Sequence, residues 1–418
     1  MTSKQRVAVI GAGLAGVRLT QRLADAGHEP VLIGDEPHAP YNRVLLAEVL
    51  AGRYGPELLA LPTPRAEHLR TRVVRVDRAE RVLQCEDGAV VPYDTLVLAT
   101  GSNPVLPPLR GLFAPGAREL PGGVHPFRTL DDCLALADAV RRPGVRAVVI
   151  GGGLLGVSAA RALASRGAQV VVTQQGDRLM ERQLDPAASE LVRQYLAGLG
   201  VEVHTECRVR GVRVEDGAVR RVELADGYLL DADVAVLACG VRPRVGLAQA
   251  AGLEVRRGIV VDDRLRTSDP HIRAIGDCAE HAGQVHCLAA PALEQAEALA
   301  AQLTAPDDAA PPPAYPGTRS LTRLTLHTAA PDAAPLELAA FGDPEPRPDD
   351  DVIQLADATR GTYRKVVVRG DRLVGGVLFG ELSAVGSLAR AWEDDDPLPA
   401  EDAGASPLLH LLTNDGGR

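Results

Sequence analysis

Short, fully apolar runs alternate with stretches of helical period through most of the chain. Val7–Ile10 is such a run, and Gly11-Ala12-Gly13-Leu14-Ala15-Gly16 follows it directly. A helical pattern continues to about Ala26, and a second apolar run, Val31–Ile33, ends at Gly34-Asp35-Glu36. Runs without polar alternation suit strands buried on both faces, so this stretch reads as one β-α-β unit of a parallel sheet. The same order returns about 140 residues later: Ala147–Ile150, then Gly151-Gly152-Gly153-Leu154-Leu155-Gly156, a helix to about Arg166 and a strand at Gln169–Thr173. Two further runs, one ending in Ala99-Thr100-Gly101 and one in Ala238-Cys239-Gly240, each close on a small residue and a glycine.

Residues 111–123 and 305–316 are rich in Pro with Gly or Ala and read as linkers. Beyond the second, Arg364–Arg369 and Arg372–Phe379 read as a hairpin turning at Gly370-Asp371. The expected class is α/β: two nested Rossmann-like dinucleotide-binding domains plus a small C-terminal α+β domain. The expected divisions are 1–115 with 242–308 for the first domain, 120–241 for the second, 316–398 for the third, and 399–418 as a tail.

The glycine spacing carries the chemistry. Gly11 permits a tight turn, Gly13 lets backbone approach a pyrophosphate, and Gly16 lets helix pack on strand. The helix N-terminus offers N–H donors and the positive end of its dipole to phosphate. An acid about 20 residues on would accept hydrogen bonds from ribose hydroxyls; Asp35 stands there, with Glu36 as the alternate. The second unit repeats the glycines as Gly151, Gly153 and Gly156, but Gln174 and Gln175 occupy the place of the acid. Glutamine lacks the charge that repels a 2′-phosphate, so this feature leaves NADH and NADPH both open. Ala274-Ile275-Gly276-Asp277 ends a third apolar run with a carboxylate beside an approachable backbone.

Composition narrows the classes. With 418 residues the chain exceeds one typical core, and its net charge of −10 argues against a general nucleic-acid or anionic-membrane binder. Lysine occurs only at positions 4 and 365. The six cysteines show no C-x-x-C spacing, so neither an iron–sulfur cluster nor a close redox disulfide is written here. The histidines lack metal-ligand spacing, and no metal site is expected. No apolar run approaches the roughly 20 residues of a membrane span, and the N-terminal run fits a nucleotide motif better than a signal peptide, so a cytoplasmic protein is expected.

The order of Gly11–Gly16, Thr100-Gly101, Gly151–Gly156 and Gly276-Asp277 resembles the two-dinucleotide-binding-domain flavoprotein reductases, which include ferredoxin, rubredoxin and disulfide reductases. A narrower resemblance lies in Pro40-Tyr41-Asn42-Arg43-Val44-Leu45-Leu46, in Leu179-Met180-Glu181-Arg182-Gln183-Leu184-Asp185, in Arg360-Gly361-Thr362-Tyr363-Arg364-Lys365, and in the run from Leu373 to Gly380. These are similar to the flavin-bearing N-terminal part of the assimilatory NAD(P)H nitrite reductase large subunit. The chain ends before that subunit's iron–sulfur and sirohaem modules, and on that ground resembles the free-standing electron-transfer subunit of assimilatory nitrate reductase.

The resemblance implies FAD on Gly11, Gly13, Leu14, Ala15, Gly16, Asp35, Glu36, Arg43, Val74, Thr100, Gly101, Gly276, Asp277 and Pro291. It implies NADH, with NADPH as the alternative donor, on Gly151, Gly153, Leu154, Leu155, Gly156, Ser158, Gln174 and Gly240. Two positions depart from the pattern: Ser158 stands where the family usually has Glu, and Glu48 where related ferredoxin reductases have Lys. The implied activity is an FAD-dependent NAD(P)H oxidoreductase whose catalysis rests on flavin hydride transfer. It passes electrons from NADH to an iron–sulfur or molybdenum-containing catalytic partner in nitrate or nitrite assimilation, with NADH used faster than NADPH. The C-terminal domain, lying against the flavin edge in the family, is assigned to acceptor docking, and the acidic segments 349–351 and 393–396 are either a solvated face or a surface that steers a basic partner. The alternatives are a self-contained NADH oxidase, a ferredoxin- or rubredoxin-reductase-type enzyme, and a non-catalytic flavin-binding protein.

Overall fold

The apolar runs become the central strands of two parallel sheets. In the computed structural model, which describes residues 5–114, 116–306, 310, 312–319, 321–327, 335–395 and 397–398, the first sheet holds Ile272–Ala274, Thr95–Leu98, Val7–Ile10, Val31–Gly34 and Glu67–Arg70, in that order. Every pairing in it is parallel. The second sheet orders Glu202–His204, Gln169–Thr173, Arg146–Ile150, Val234–Leu237 and Val124–Pro126, again all parallel. All four residues of Val7–Ile10, of Thr95–Leu98 and of Val234–Leu237 are buried, as strands covered on both faces require.

The second unit is inserted into the first, because Ile272–Ala274 returns to pair with Thr95–Leu98. The two crossing segments, Ser102–Pro104 and Val241–Pro243, pair antiparallel with each other and so tie the sheets together where the chain passes between them. The stretch read as a linker at 111–123 is partly engaged: Arg110 bridges Gly211 and Gly122 bridges Ala218, both on the antiparallel ribbon of the second unit.

The C-terminal region is a five-stranded antiparallel sheet, ordered Leu321–Leu326, Leu336–Gly342, Arg372–Phe379, Thr362–Arg369 and Asp351–Asp357, with the helix Val385–Glu393 packed against it. The hairpin at Gly370-Asp371 forms, with Arg369 opposite Arg372. This sheet is not a separate body. Leu326, Leu338, Tyr363 and Phe379 share one apolar cluster with Leu46 and Leu50 of the first unit and Leu163 and Leu196 of the second.

Two residues of the acidic segments are engaged internally. Asp350 holds Arg369 through two hydrogen bonds of 2.8 Å, and Asp395 pairs with Arg319 and Arg372. Asp396 and the tail at 399–418 lie outside the described residues.

Candidate functional site

Both glycine turns are built alike, and the need for glycine differs from position to position. Gly11 and Gly151 have φ of +115° and +111°, a region closed to most L side chains. A Cβ on Gly16 would lie 1.9 Å from the Gly11 carbonyl oxygen, and one on Gly156 equally close to that of Gly151. Gly13 and Gly153 have no such backbone reason. Their φ values are −83° and −75°, and a Cβ on either would meet nothing within 4 Å. Each is the N-cap of a helix, Leu14–Asp25 and Leu154–Ser165, with no capping side chain. Open space in front of an uncapped helix end fits an anion that supplies the missing acceptors. Leu14 with Ala15, and Leu154 with Leu155, form the first turns of these helices.

Around the first turn, the other expected residues converge from distant segments. Gly276 has φ +75°, and its N–H donates to Gln295 at 2.7 Å. Asp277 follows, and its Oδ2 accepts from Ser102 at 2.8 Å and from Arg128 at 2.5 Å. Among the described residues Asp277 Oδ1 has no partner, and Arg128 Nε is buried without one. Thr100 donates its hydroxyl to the Arg244 carbonyl, and Gly101 has φ +72°. Pro291 is buried in the first turn of the helix Ala289–Thr304.

The two acids after the second strand have separate roles. Glu36 accepts from Tyr41 at 2.6 Å and is bonded to Arg43. Burial opposes its ionisation, but Arg43 and Tyr41 outweigh that and hold its pKa below the ordinary value. Asp35 remains the open carboxylate, with Arg244 at 3.5 Å and Arg72 at 3.7 Å. Val74 sits at an exposed bulge between Val73 and Arg75.

Arg128 was not legible in the sequence. It precedes the helix Leu130–Ala139 in the second unit yet reaches Asp277 of the first, a contact across 149 residues. The aspartate gave one signal; nothing local marks the arginine.

In the second unit a cavity of about 820 Å³ opens beside Gly151, Gln174, Gln175, Glu181 and Arg208. Gln174 spends its side-chain oxygen on the Gly152 N–H at 2.8 Å. The Ser158 hydroxyl donates to the Leu154 carbonyl of its own helix at 2.8 Å. Gly240 has φ +91° at the opposing strand end. Glu48 is locked between domains: Arg161 of the second unit, 1 % exposed, donates to it at 2.5 Å and also to the His327 carbonyl of the C-terminal sheet.

The cysteines near these strand ends are held as thiols. Burial pushes Cys239 up to about 11, and burial with Asp277 pushes Cys287 up to about 12. All six are free. Thiols so far above neutral pH are poor nucleophiles, so this arrangement does not favour thiol chemistry.

Residues 5–297 match the model of the pyridine nucleotide-disulphide oxidoreductases. The chain belongs to this family. Residues 333–395 match the rubredoxin NAD+ reductase C-terminal domain. The chain is 34% identical over 390 residues to a nitrite reductase [NAD(P)H] of Bacillus subtilis, covering 91% of this chain and 46% of that protein. It is 33% identical to the assimilatory nitrate reductase electron transfer subunit of the same organism, covering 90% and 48%. It thus spans about half the length of these curated relatives. A solved ferredoxin reductase of Rhodopseudomonas palustris is 30% identical with a TM-score of 0.77, covering 90% of this chain and 91% of that one.

Members of the family contain FAD and draw electrons from NAD(P)H, and this chain is an oxidoreductase of that kind. The residues fit both groups: two uncapped helix ends face open space, and an unpartnered Arg128 Nε and Asp277 Oδ1 stand beside the first. No helix among the described residues is long and apolar enough to cross a membrane.

Proposed function

We propose that this chain carries electrons from NADH through FAD to a separate iron–sulfur or molybdenum-bearing protein of nitrate or nitrite assimilation. The observation that carries this reading is the pair of open, glycine-capped phosphate cradles in one chain, beside cysteines held as thiols. That combination supplies an entry for a hydride donor and a seat for flavin.

In this reading the first cradle lies in an FAD domain formed by 1–115 and 242–308, and the second in an NAD(P) domain at 120–241. Gly11 to Gly16 hold the FAD pyrophosphate, and Asp35 accepts from its adenosine ribose. Glu36 is engaged by Tyr41 and Arg43, which favours Asp35 over it as the ribose acceptor. Asp277 orients the ribityl–pyrophosphate region, with Arg128 and Arg43 balancing the phosphate charge. In the second domain Gly151 to Gly156 hold the nicotinamide nucleotide, with Gly240 at the facing strand end. Gln174 fixes the orientation of the Gly152 amide. Ser158 shapes the helix surface without offering a charge. Bound FAD supplies the hydride acceptor and can release electrons singly; the protein contributes orientation and electrostatics.

A second reading draws on the 30% identity to a solved ferredoxin reductase across nine-tenths of both chains: the acceptor is then a small iron–sulfur protein. One experiment separates the readings. The purified holoprotein is mixed with NADH and nitrate, with and without a nitrate reductase catalytic subunit, and in parallel with a ferredoxin coupled to cytochrome c. Rapid flavin bleaching by NADH and nitrate reduction only with the catalytic subunit are expected. Rapid nitrate reduction by the chain alone refutes both.

A further inference from the structure

The nicotinamide-nucleotide unit carries no acid on its second strand, yet the fold brings one to that place from a neighbouring turn. The two units repeat with an offset of 140 residues, Ile10 pairing Ile33 as Ile150 pairs Thr173. On this register Asp35 corresponds to Gln175 and Glu36 to Gly176, while Gln174 corresponds to Gly34 and is already bonded to Gly152. No strand residue therefore offers a carboxylate to a ribose.

Glu181 does. Its carboxylate lies over Gly176, where a Cβ would be 1.8 Å from Oε2, and it lines the cavity of about 820 Å³ beside Gly151 and Gln174. The turn that presents it is pinned to the phosphate loop, because the Met180 N–H donates to the Gly152 carbonyl at 2.9 Å. Met180 is buried in the left-handed region, with φ of +49°. That conformation is unfavourable for an unbranched non-glycine residue and is retained where it aims a neighbour. Among the described residues Glu181 has no hydrogen bond or ion pair, so its acceptors are free for a ligand. Arg208 lines the same cavity and likewise has no acidic partner there.

We propose that Glu181 is the specificity-determining residue for the nucleotide: it accepts from the adenosine ribose hydroxyls of NADH and repels the 2′-phosphate of NADPH. Arg208 is a latent phosphate partner that Glu181 keeps in check. A 2′-phosphate carries close to two negative charges, so neutralising Glu181 removes repulsion and leaves Arg208 to attract. This rests on the reading of the second unit as the nicotinamide-nucleotide site.

The test is calorimetric titration of the holoprotein with NAD+ and with NADP+, a readout independent of turnover. The wild-type chain is expected to bind NAD+ more tightly, by about 10- to 100-fold. Glu181→Gln, an exposed and nearly isosteric change, is expected to cut that ratio by about 10-fold or more, mainly by tightening NADP+. Adding Arg208→Gln should abolish the gain in NADP+ affinity. An unchanged NAD+/NADP+ ratio in Glu181→Gln, or a wild-type chain that binds NADP+ as tightly, overturns the assignment of Glu181 while leaving the site intact. Gly153→Val is the control for the site itself. If it leaves NAD+ affinity unchanged, or if neither nucleotide binds the wild-type chain, the nucleotide reading of the cavity falls and this inference falls with it.

Discussion

Lys365 shares its residue type only with Lys4, and it is buried against the second unit. Its ammonium lies 3.1 Å from Asp185 Oδ2, and the Tyr363 hydroxyl donates to the same oxygen at 2.6 Å. Asp185 Oδ1 accepts from the Ala188 N–H at 3.3 Å and so caps the helix Pro186–Gly198. Burial and then Asp185 raise the pKa of Tyr363, which keeps it a donor. One buried carboxylate thus organises a helix start and the docking of the C-terminal sheet. Asp185→Asn keeps the size and the cap acceptor but strands the Lys365 ammonium. Breaking a buried pair from one side costs about 3–5 kcal/mol; the retained oxygen acceptor places this variant near about 3 kcal/mol. Lys365→Met leaves Asp185 with two donors and costs less, about 1.5 kcal/mol. Because replacing both partners leaves no orphan charge, the double variant should recover at least about 2 kcal/mol of the combined single losses.

The single tryptophan makes this measurable. Trp392 lies in the helix Val385–Glu393, packed on Phe341 with ring centroids 5.4 Å apart, and reports the C-terminal sheet. On the reading of the first unit as the FAD site, flavin fluorescence reports that unit in the same urea titration. With a slope of about 3 kcal/mol/M, Asp185→Asn should move the Trp392 midpoint down by about 1 M, ahead of flavin release. A shift under about 0.3 M, or a double variant as unstable as the combined single variants, would refute the reasoning.

Three further outcomes follow from the geometry. Asp277→Ala removes the acceptor of Ser102 and Arg128 and should weaken FAD binding by about 10- to 100-fold; full flavin occupancy of the purified variant contradicts this. Gly13→Val and Gly16→Ala should part company: the first adds atoms to open space and yields folded protein lacking FAD, whereas the second drives a Cβ into the Gly11 carbonyl and yields little soluble protein. Circular dichroism with flavin content distinguishes these, and a flavin-replete Gly13→Val would be the adverse result. The Arg6 guanidinium and N–H hold the half-buried Asp94 carboxyl at about 2, below its ordinary range. Its contribution is present above the unfolded value of about 3.9 and is lost as pH falls through about 2, so the gap in melting temperature between wild type and Asp94→Asn should close over that window. A gap unchanged at pH 2 counts against the pairing.

Local pattern determined a great deal here. Uninterrupted apolar runs specify strands buried on both faces, and glycines at spacings of two and three specify turns that open onto a helix end, so two nucleotide units follow from neighbours along the chain alone. The hairpin at Gly370-Asp371 is legible for the same reason. What escaped that pattern are pairings between segments far apart in sequence, which no periodicity encodes. Leu179 to Asp185 and Arg360 to Lys365 read as two separate points of family resemblance; folded, their ends meet, with Asp185 against Tyr363 and Lys365. Asp35 and Glu36 read as interchangeable until Tyr41 and Arg43 claim Glu36. The acidic segments read either as a solvated face or as a partner-steering surface; folded, two of their members, Asp350 and Asp395, pair with Arg369, Arg319 and Arg372. Arg128 and Arg161 carry no motif at all, and the segment that holds Glu181 says nothing of what its carboxylate faces. Their significance arises because a buried or cleft-facing charge acts on whatever lies within a few ångströms, and only the tertiary fold decides what that is.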